Sequence, residues 1–210
     1  GGYVGSGACV ECHRSIAEAY RSHPMAHSIT AIDAESPETS NPSAAARVDG
    51  KTRYFQVSMR DGRMVHHECM TDAQGNLIYD QAIPMDFTVG SGKRARAYLF
   101  QQGQVLFMSP LNWYSQANRW DLAPGYVPDD PRRFDRRVTD ECLSCHAGRV
   151  APVGRSLNTY REPPFYELAI GCEKCHGPGE RHVAMRSSGQ AIALGADPIV
   201  NPSRLDAARR

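Results

Sequence analysis

Three short stretches place two thiols and one imidazole at the same spacing: Cys9-Val10-Glu11-Cys12-His13, Cys142-Leu143-Ser144-Cys145-His146 and Cys172-Glu173-Lys174-Cys175-His176. Cys-x-x-Cys-His is the attachment pattern of c-type haem. The two thiols add across the two porphyrin vinyl groups, and the two-residue gap matches the distance between those vinyls. The histidine that follows then lies under the iron as its proximal ligand. Two Cys-x-x-Cys pairs can also close a zinc site, and Cys142/Cys145 with Cys172/Cys175 have a suitable spacing. Zinc, however, leaves Cys9/Cys12 without a second pair and gives no reason for a histidine after all three pairs. A thioredoxin-like redox pair needs a βαβ setting, and nothing around the motifs looks like one. The pattern implies three covalently attached haem c groups. Cys9, Cys12, Cys142, Cys145, Cys172 and Cys175 would hold them, with His13, His146 and His176 as proximal iron ligands.

The chain has 210 residues, a length that fits one domain or two small ones. Hydrophobic residues make up 41%, the low side for a chain that builds its own core, so three porphyrins are expected to supply much of the apolar mass. Six of the seven cysteines belong to the motifs, which leaves Cys69 as a buried thiol. No apolar run is long enough to cross a bilayer. Haem attachment to this pattern takes place outside the cytoplasmic membrane. A periplasmic or extracellular location is therefore expected, with a leader removed ahead of Gly1. The formal charge is +1; six propionates and three ferric cores shift it to about −2 oxidised and about −5 reduced. All basic residues but Lys51, Lys93 and Lys174 are arginine, whose planar fork suits propionates; an arginine-rich genome would look the same.

Around the motifs, the elements follow from periodicity. Ile16, Ala19, Tyr20 and His23 share one face of a helix predicted from Arg14 to Ser22, which Pro24 ends. Residues 33–50 read as a linker. From Thr52 to about Tyr114 the period is two: Phe55, Val57 and Met59 alternate with polar neighbours, and Asp61-Gly62 signals a hairpin. Arg63–Thr71 reads as the return strand and Gln74-Gly75-Asn76 as the next turn. Leu77–Ile83, Arg96–Gln101 and Gln104–Ser109 continue an antiparallel meander. Residues 115–140 read as loop and contain Arg132-Arg133-Phe134-Asp135-Arg136-Arg137, either a docking or propionate-binding patch or a plain solvated face. The second and third motifs lie close in sequence, so their haems are expected to be neighbours. A short helix near Glu180 carries His182 and Met185, and the tail 187–210 reads as irregular.

Five histidines remain for the sixth coordination positions: His23, His27, His66, His67 and His182. Because His182 follows closely after His176, on the same side of that haem, it is expected to reach a different iron. The same reasoning sends His23 away from the haem of His13. His66 and His67 are adjacent on a predicted strand and point to opposite faces, so at most one serves a given haem. Two histidines on an iron suit electron transfer, whereas an open position binds substrate.

Several further stretches carry a resemblance. They are Tyr3-Val4-Gly5-Ser6, the first motif, Tyr20-Arg21-Ser22-His23-Pro24-Met25, Val89-Gly90-Ser91-Gly92, Trp113-Tyr114, Trp120–Tyr126, Ala169-Ile170-Gly171-Cys172, Cys175–Glu180 and His182-Val183. In this order they resemble the multihaem cytochrome domains often attached to tetratricopeptide-repeat proteins, which are related to the tetrahaem cytochromes of ammonia oxidisers. The resemblance implies electron transfer outside the cytoplasm and distal-ligand roles for His23 and His182. It also favours His66 over His67, because similar proteins tend to carry one histidine two residues before the glutamate corresponding to Glu68. Members of that group usually continue past an Asn-Pro-x-Arg-Leu stretch, here Asn201–Leu205, into a further Cys-x-x-Cys-His.

The expected fold is α+β: a haem-cored multihaem cytochrome with short helices around the Cys-x-x-Cys-His motifs and a central antiparallel β meander. Its expected segments are a first haem-binding segment (1–32), a linker (33–50), a β insert (51–114), a two-haem segment (115–186) and an irregular tail (187–210). The expected function is electron transfer between redox protein partners, or between copies of the chain as the repeating unit of a conductive filament. The rival is a haem enzyme, a reductase or oxidase of a small nitrogen or sulfur compound, with the haem of His146 as the candidate open iron. No nucleic-acid partner is expected.

Overall fold

The computed structural model describes residues 2–32, 37–40, 46–47, 52–127, 132–189, 193 and 196–206. Helices α1 (Ser6–Val10) and α2 (Arg14–Arg21) open the chain. Pro24 disfavours helical geometry at His23, and a 3-10 turn over Pro24–His27 follows. After β1 (Ile29–Ala31), strands β2 (Ala46–Arg47), β3 (Arg53–Arg60), β4 (Arg63–Thr71) and β5 (Leu77–Pro84) form an antiparallel sheet in that order. Strands β6 (Phe87–Val89), β7 (Ala95–Gln102), β8 (Val105–Met108), β9 (Leu111–Tyr114) and β10 (Arg119–Leu122) follow. They build a second sheet with the order β1-β6-β7-β9-β10, and β8 pairs with β7. Helix α3 (Asp140–His146), the strand pair β11 (Arg149–Pro152) and β12 (Tyr160–Glu167), helices α4 (Cys172–His176) and α5 (Glu180–Ser187), and a 3-10 turn over Pro202–Arg204 follow.

Turn chemistry sets the first sheet. Asp61 and Gly62 both adopt positive φ, 51° and 75°, the two-residue geometry that matches strand twist. Arg60 accordingly pairs with Arg63, and the register runs unbroken to Arg53 opposite Met70. At the next turn the Asp72 carboxylate accepts from the backbone N–H groups of Gln74 and Asn76 and from the Asn76 side chain, a local bonding pattern that favours a turn over a ladder.

The expected single meander is instead two sheets. The second recruits β1 from the first segment and β10 from beyond Tyr114. Strands β1 and β10, of three and four residues, are too short to declare a period. The sheets face each other across Phe55, Val57 and Met64 on one side and Tyr98, Phe100, Leu111, Trp113 and Trp120 on the other. Strand β7 is buried on both faces. Its Leu99 points to a second cluster with Ile29, Leu106, Leu143, Tyr160 and Phe165. The β part thus has an apolar core of protein side chains, whereas α1, α2 and α5 contain no buried residue.

Leu111 is fully buried between the sheets. Leu111→Ala is expected to cost about 2–5 kcal/mol, read as a lower urea midpoint by far-ultraviolet circular dichroism.

Candidate haem-attachment site

Each motif sits on a short helix. Helix α1 carries Cys9 and turns through Cys12 and His13 into α2; α3 ends at His146 and α4 at His176. One helical turn brings cysteines three residues apart onto the same face. The residue after the first cysteine decides how each helix is held. Leu143 is buried in the second apolar cluster, Glu173 is a buried carboxylate, and Val10 is half-buried.

The first and third motifs pack together, although they lie at opposite ends of the chain. Burial, then the neighbouring Cys172 thiol, push the Cys9 thiol up to about 11. A reactive cysteine needs the opposite shift. The Ser6 hydroxyl donates to Glu167 Oε1 (2.6 Å) and accepts from the Cys172 N–H (2.9 Å). The Val4, Gly5 and Gly179 N–H groups all donate to the Glu173 carboxylate. The Tyr20 hydroxyl donates to the Ile170 carbonyl at 2.7 Å, and Ile170 N–H donates to Ser28 Oγ at 3.0 Å. A side chain at Gly171 would displace the Ser6–Glu167 pair from this seam: a Cβ there would lie 2.2 Å from Glu167 Oε1 and 2.3 Å from Ser6 Oγ. The first and third attachment helices are therefore tied directly to each other.

Two histidines have their Nδ1 atoms fixed by the chain. His176 Nδ1 donates to the Val200 carbonyl at 2.7 Å, and His182 Nδ1 pairs with Asp197 at 2.7 Å. Each contact leaves Nε2 as the ring's remaining nitrogen, the usual arrangement for a ligating imidazole. Burial raises the Asp197 carboxyl, but hydrogen bonds from His182 and Arg186 outweigh it and hold the group at about 2. The tail read as irregular thus supplies both partners. The His13 and His182 ring centres lie 6.3 Å apart, with planes 18° from parallel. Two imidazoles bonded at about 2 Å to one central metal have their centres roughly 6 Å apart.

The other candidate ligands stand differently. His23 Nδ1 accepts from the Met25 N–H at 3.2 Å, and its ring stacks on Tyr20 at 5.7 Å. His27 Nε2 donates to the Arg21 carbonyl at 2.6 Å. His66, expected as a ligand, lies wholly inside the β core. Its Nδ1 bonds Ser109 Oγ at 2.6 Å, its Nε2 faces Met64 Sδ at 3.4 Å, and Tyr98 and Trp120 pack on its ring. So placed, it offers no free nitrogen to an external metal. His67 is likewise held, between Ser58 and Asp80. The arginine run, read as a patch or a solvated face, is a clamp within the chain. Arg133 binds the buried Glu68 at 2.6 Å, Arg136 donates to the Pro124 carbonyl at 2.6 Å, and Arg132 and Arg136 lie over the Tyr126 ring.

The residues present fit haem c. Cys12, Cys142, Cys145, Cys175, His13, His146 and His176 are all exposed, and Cys9 and Cys172 half-buried, open to a group approaching from outside. The helices around the first motif leave apolar surface uncovered, with Ile16 67% exposed and Met25 47% exposed. A flat apolar porphyrin would cover such a face. Among the described residues no three or more His, Cys, Asp or Glu side chains gather to hold a metal ion, so the Cys142 and Cys172 pairs do not form a closed four-sulfur site. Residues 129–177, which span the second and third motifs, match the family model of cytochrome c554 and c-prime. The match relates the chain to c-type cytochromes, electron carriers with covalently bound haem. No curated protein and no solved structure matches the chain.

The placement of His66 has a pH signature. Burial, then the nearby His67, push its pKa down to about 3, whereas an unfolded histidine titrates near about 6.5. Between these values the unfolded chain binds a proton that the folded chain refuses. This part of the stability is full above about pH 6.5 and falls as pH drops toward 3. A His66→Gln variant is expected to lose less Tm than the parent between about pH 7 and about pH 4.5, measured by thermal melts at both pH values.

Proposed function

We propose that the chain is a three-haem c-type cytochrome that transfers electrons outside the cytoplasm, with the haems of the first and third motifs facing each other. The observation that carries this reading is the alignment of His13 and His182 at 6.3 Å. That spacing supports His182, six residues beyond the third motif, as the sixth ligand of the first motif's iron. Bound haem supplies a one-electron couple, and an iron with two histidine ligands has no position free for substrate. His13, His146 and His176 would be the proximal ligands. Asp197 and the Val200 carbonyl keep the protons of His182 and His176 on Nδ1.

A reciprocal role for His23 on the haem of His176 has its own support. Tyr20, against which His23 stacks, donates its hydroxyl to the Ile170 carbonyl at 2.7 Å, two residues before Cys172, so the pair lies beside the third motif. Ligation there would require His23 to release the Met25 N–H. Exposed cysteines at all three motifs support haem edges near the surface, as exchange with redox proteins or with further copies of the chain in a filament requires. No helix among the described residues is long and apolar enough to cross a membrane; a periplasmic or extracellular location is part of the same proposal.

A second reading rests on His146. With His66 and His67 held in the β core, no histidine ring among the described residues pairs with His146. Its iron is the one that would be open to a small nitrogen or sulfur compound.

Electron paramagnetic resonance of the oxidised protein, with haem quantified per chain, separates these readings. His182→Ala is expected to convert one low-spin haem to high-spin while the haem count stays at three. An unchanged low-spin spectrum in that variant would remove His182 as a ligand. A high-spin signal already present in the parent, near one third of the haem, would favour the second reading.

A further inference from the structure

We propose that Glu173 is a positioning residue that sets how the haem of the first motif faces the haem of the third; the inference rests on the cytochrome reading above. Glu173 lies between the two cysteines of the third motif, yet its carboxylate is 3% exposed and turned away from solvent. It accepts from three backbone N–H groups on two separate segments. Val4 donates at 3.0 and 3.1 Å to its two oxygens and Gly5 at 2.7 Å; Gly179 donates at 2.6 Å. Val4 and Gly5 lead directly into α1, which carries Cys9. Gly179 is the residue before α5, which carries His182. One carboxylate therefore joins the third attachment helix, the approach to the first, and the helix bearing the first iron's candidate sixth ligand.

Haem attachment does not ask for this residue. The equivalent positions of the other motifs hold Val10 and Leu143, so thioether formation tolerates an apolar side chain there. A buried carboxylate is costly unless it is fully hydrogen-bonded, and bonds from N–H groups to an ionised acceptor are short and strong. Both oxygens are used here as acceptors. Glutamine keeps the shape but presents an NH2 in place of one oxygen, and two donors then face each other. Releasing Val4 and Gly5 leaves α1, which has no buried residue, held to the third motif only through Ser6 and its bonds to Glu167 and the Cys172 N–H, so its angle to the third motif is free to change.

The test uses the full chain, haem-loaded, with parent and Glu173→Gln compared by circular dichroism in the Soret region. Two haems held face to face give a paired positive and negative band; haems that move independently do not. Glu173→Gln is expected to lose this couplet while keeping the parent's haem content and far-ultraviolet spectrum. A folded, fully loaded Glu173→Gln protein with the parent's couplet would overturn the proposal. Should that variant fail to fold, Val4→Pro removes one donor without touching the motif: a weakened couplet supports the proposal and an unaltered one refutes it. Parent protein without haem on Cys9/Cys12 and Cys172/Cys175, by peptide mass, would overturn the cytochrome reading and this inference with it. Loss of the couplet in the variant alone cannot arise that way.

Discussion

The N-terminal helix buries no side chain, and the arrangement of the first and third motifs depends on how that deficit is met. Hydrogen bonds to Glu167 and Glu173 do it. Bonds to a charged acceptor contribute about 1.5–3 kcal/mol each, enough to hold a five-residue helix that packing does not hold. The same constraint explains Gly171, since Ser6 and Glu167 occupy the space where any side chain would go. The strip from Glu167 to Ile170 also reaches the second motif, because Gly148 N–H donates to the Leu168 carbonyl at 2.8 Å. One short length of backbone thus borders all three attachment helices.

Behind that strip stands a scaffold of a different physical kind. The two sheets bury aromatic and aliphatic residues on both faces of β7, and Leu143 anchors the second attachment helix to that core. Packed β structure of this sort is rigid, whereas the helical segment of the first motif keeps Ile16 and Met25 exposed. The division suits a chain that folds its own platform and then holds cofactors on the outside of it. It also explains how a chain with modest apolar content still builds a core.

Local chemistry was legible in the sequence and long-range chemistry was not. The three motifs, the Asp61-Gly62 hairpin, the helix stopped by Pro24 and the helix starting at Glu180 all depend on residues a few positions apart. Contact between Cys9 and Cys172 leaves no periodic trace, so the pairing of the first motif with the third could not be read from the pattern. His66 stood as a candidate ligand through the resemblance to multihaem cytochrome domains; its partners in the fold, Ser109, Tyr98 and Trp120, come from strands whose pairing the pattern did not reveal. The arginine run was ambiguous for the same reason, since its acceptor Glu68 lies on β4. The tail looked featureless although Asp197 and Val200 each fix a histidine proton, a role that only the folded chain displays.

The central claim is that three Cys-x-x-Cys-His sites each carry a covalent haem. Intact mass of the protein produced outside the cytoplasm, followed by peptide mapping, tests it most directly. The account predicts an added mass of three haems, one on each of the peptides containing Cys9/Cys12, Cys142/Cys145 and Cys172/Cys175. Unmodified cysteines on any of these peptides, or stoichiometric zinc in place of haem, would contradict it.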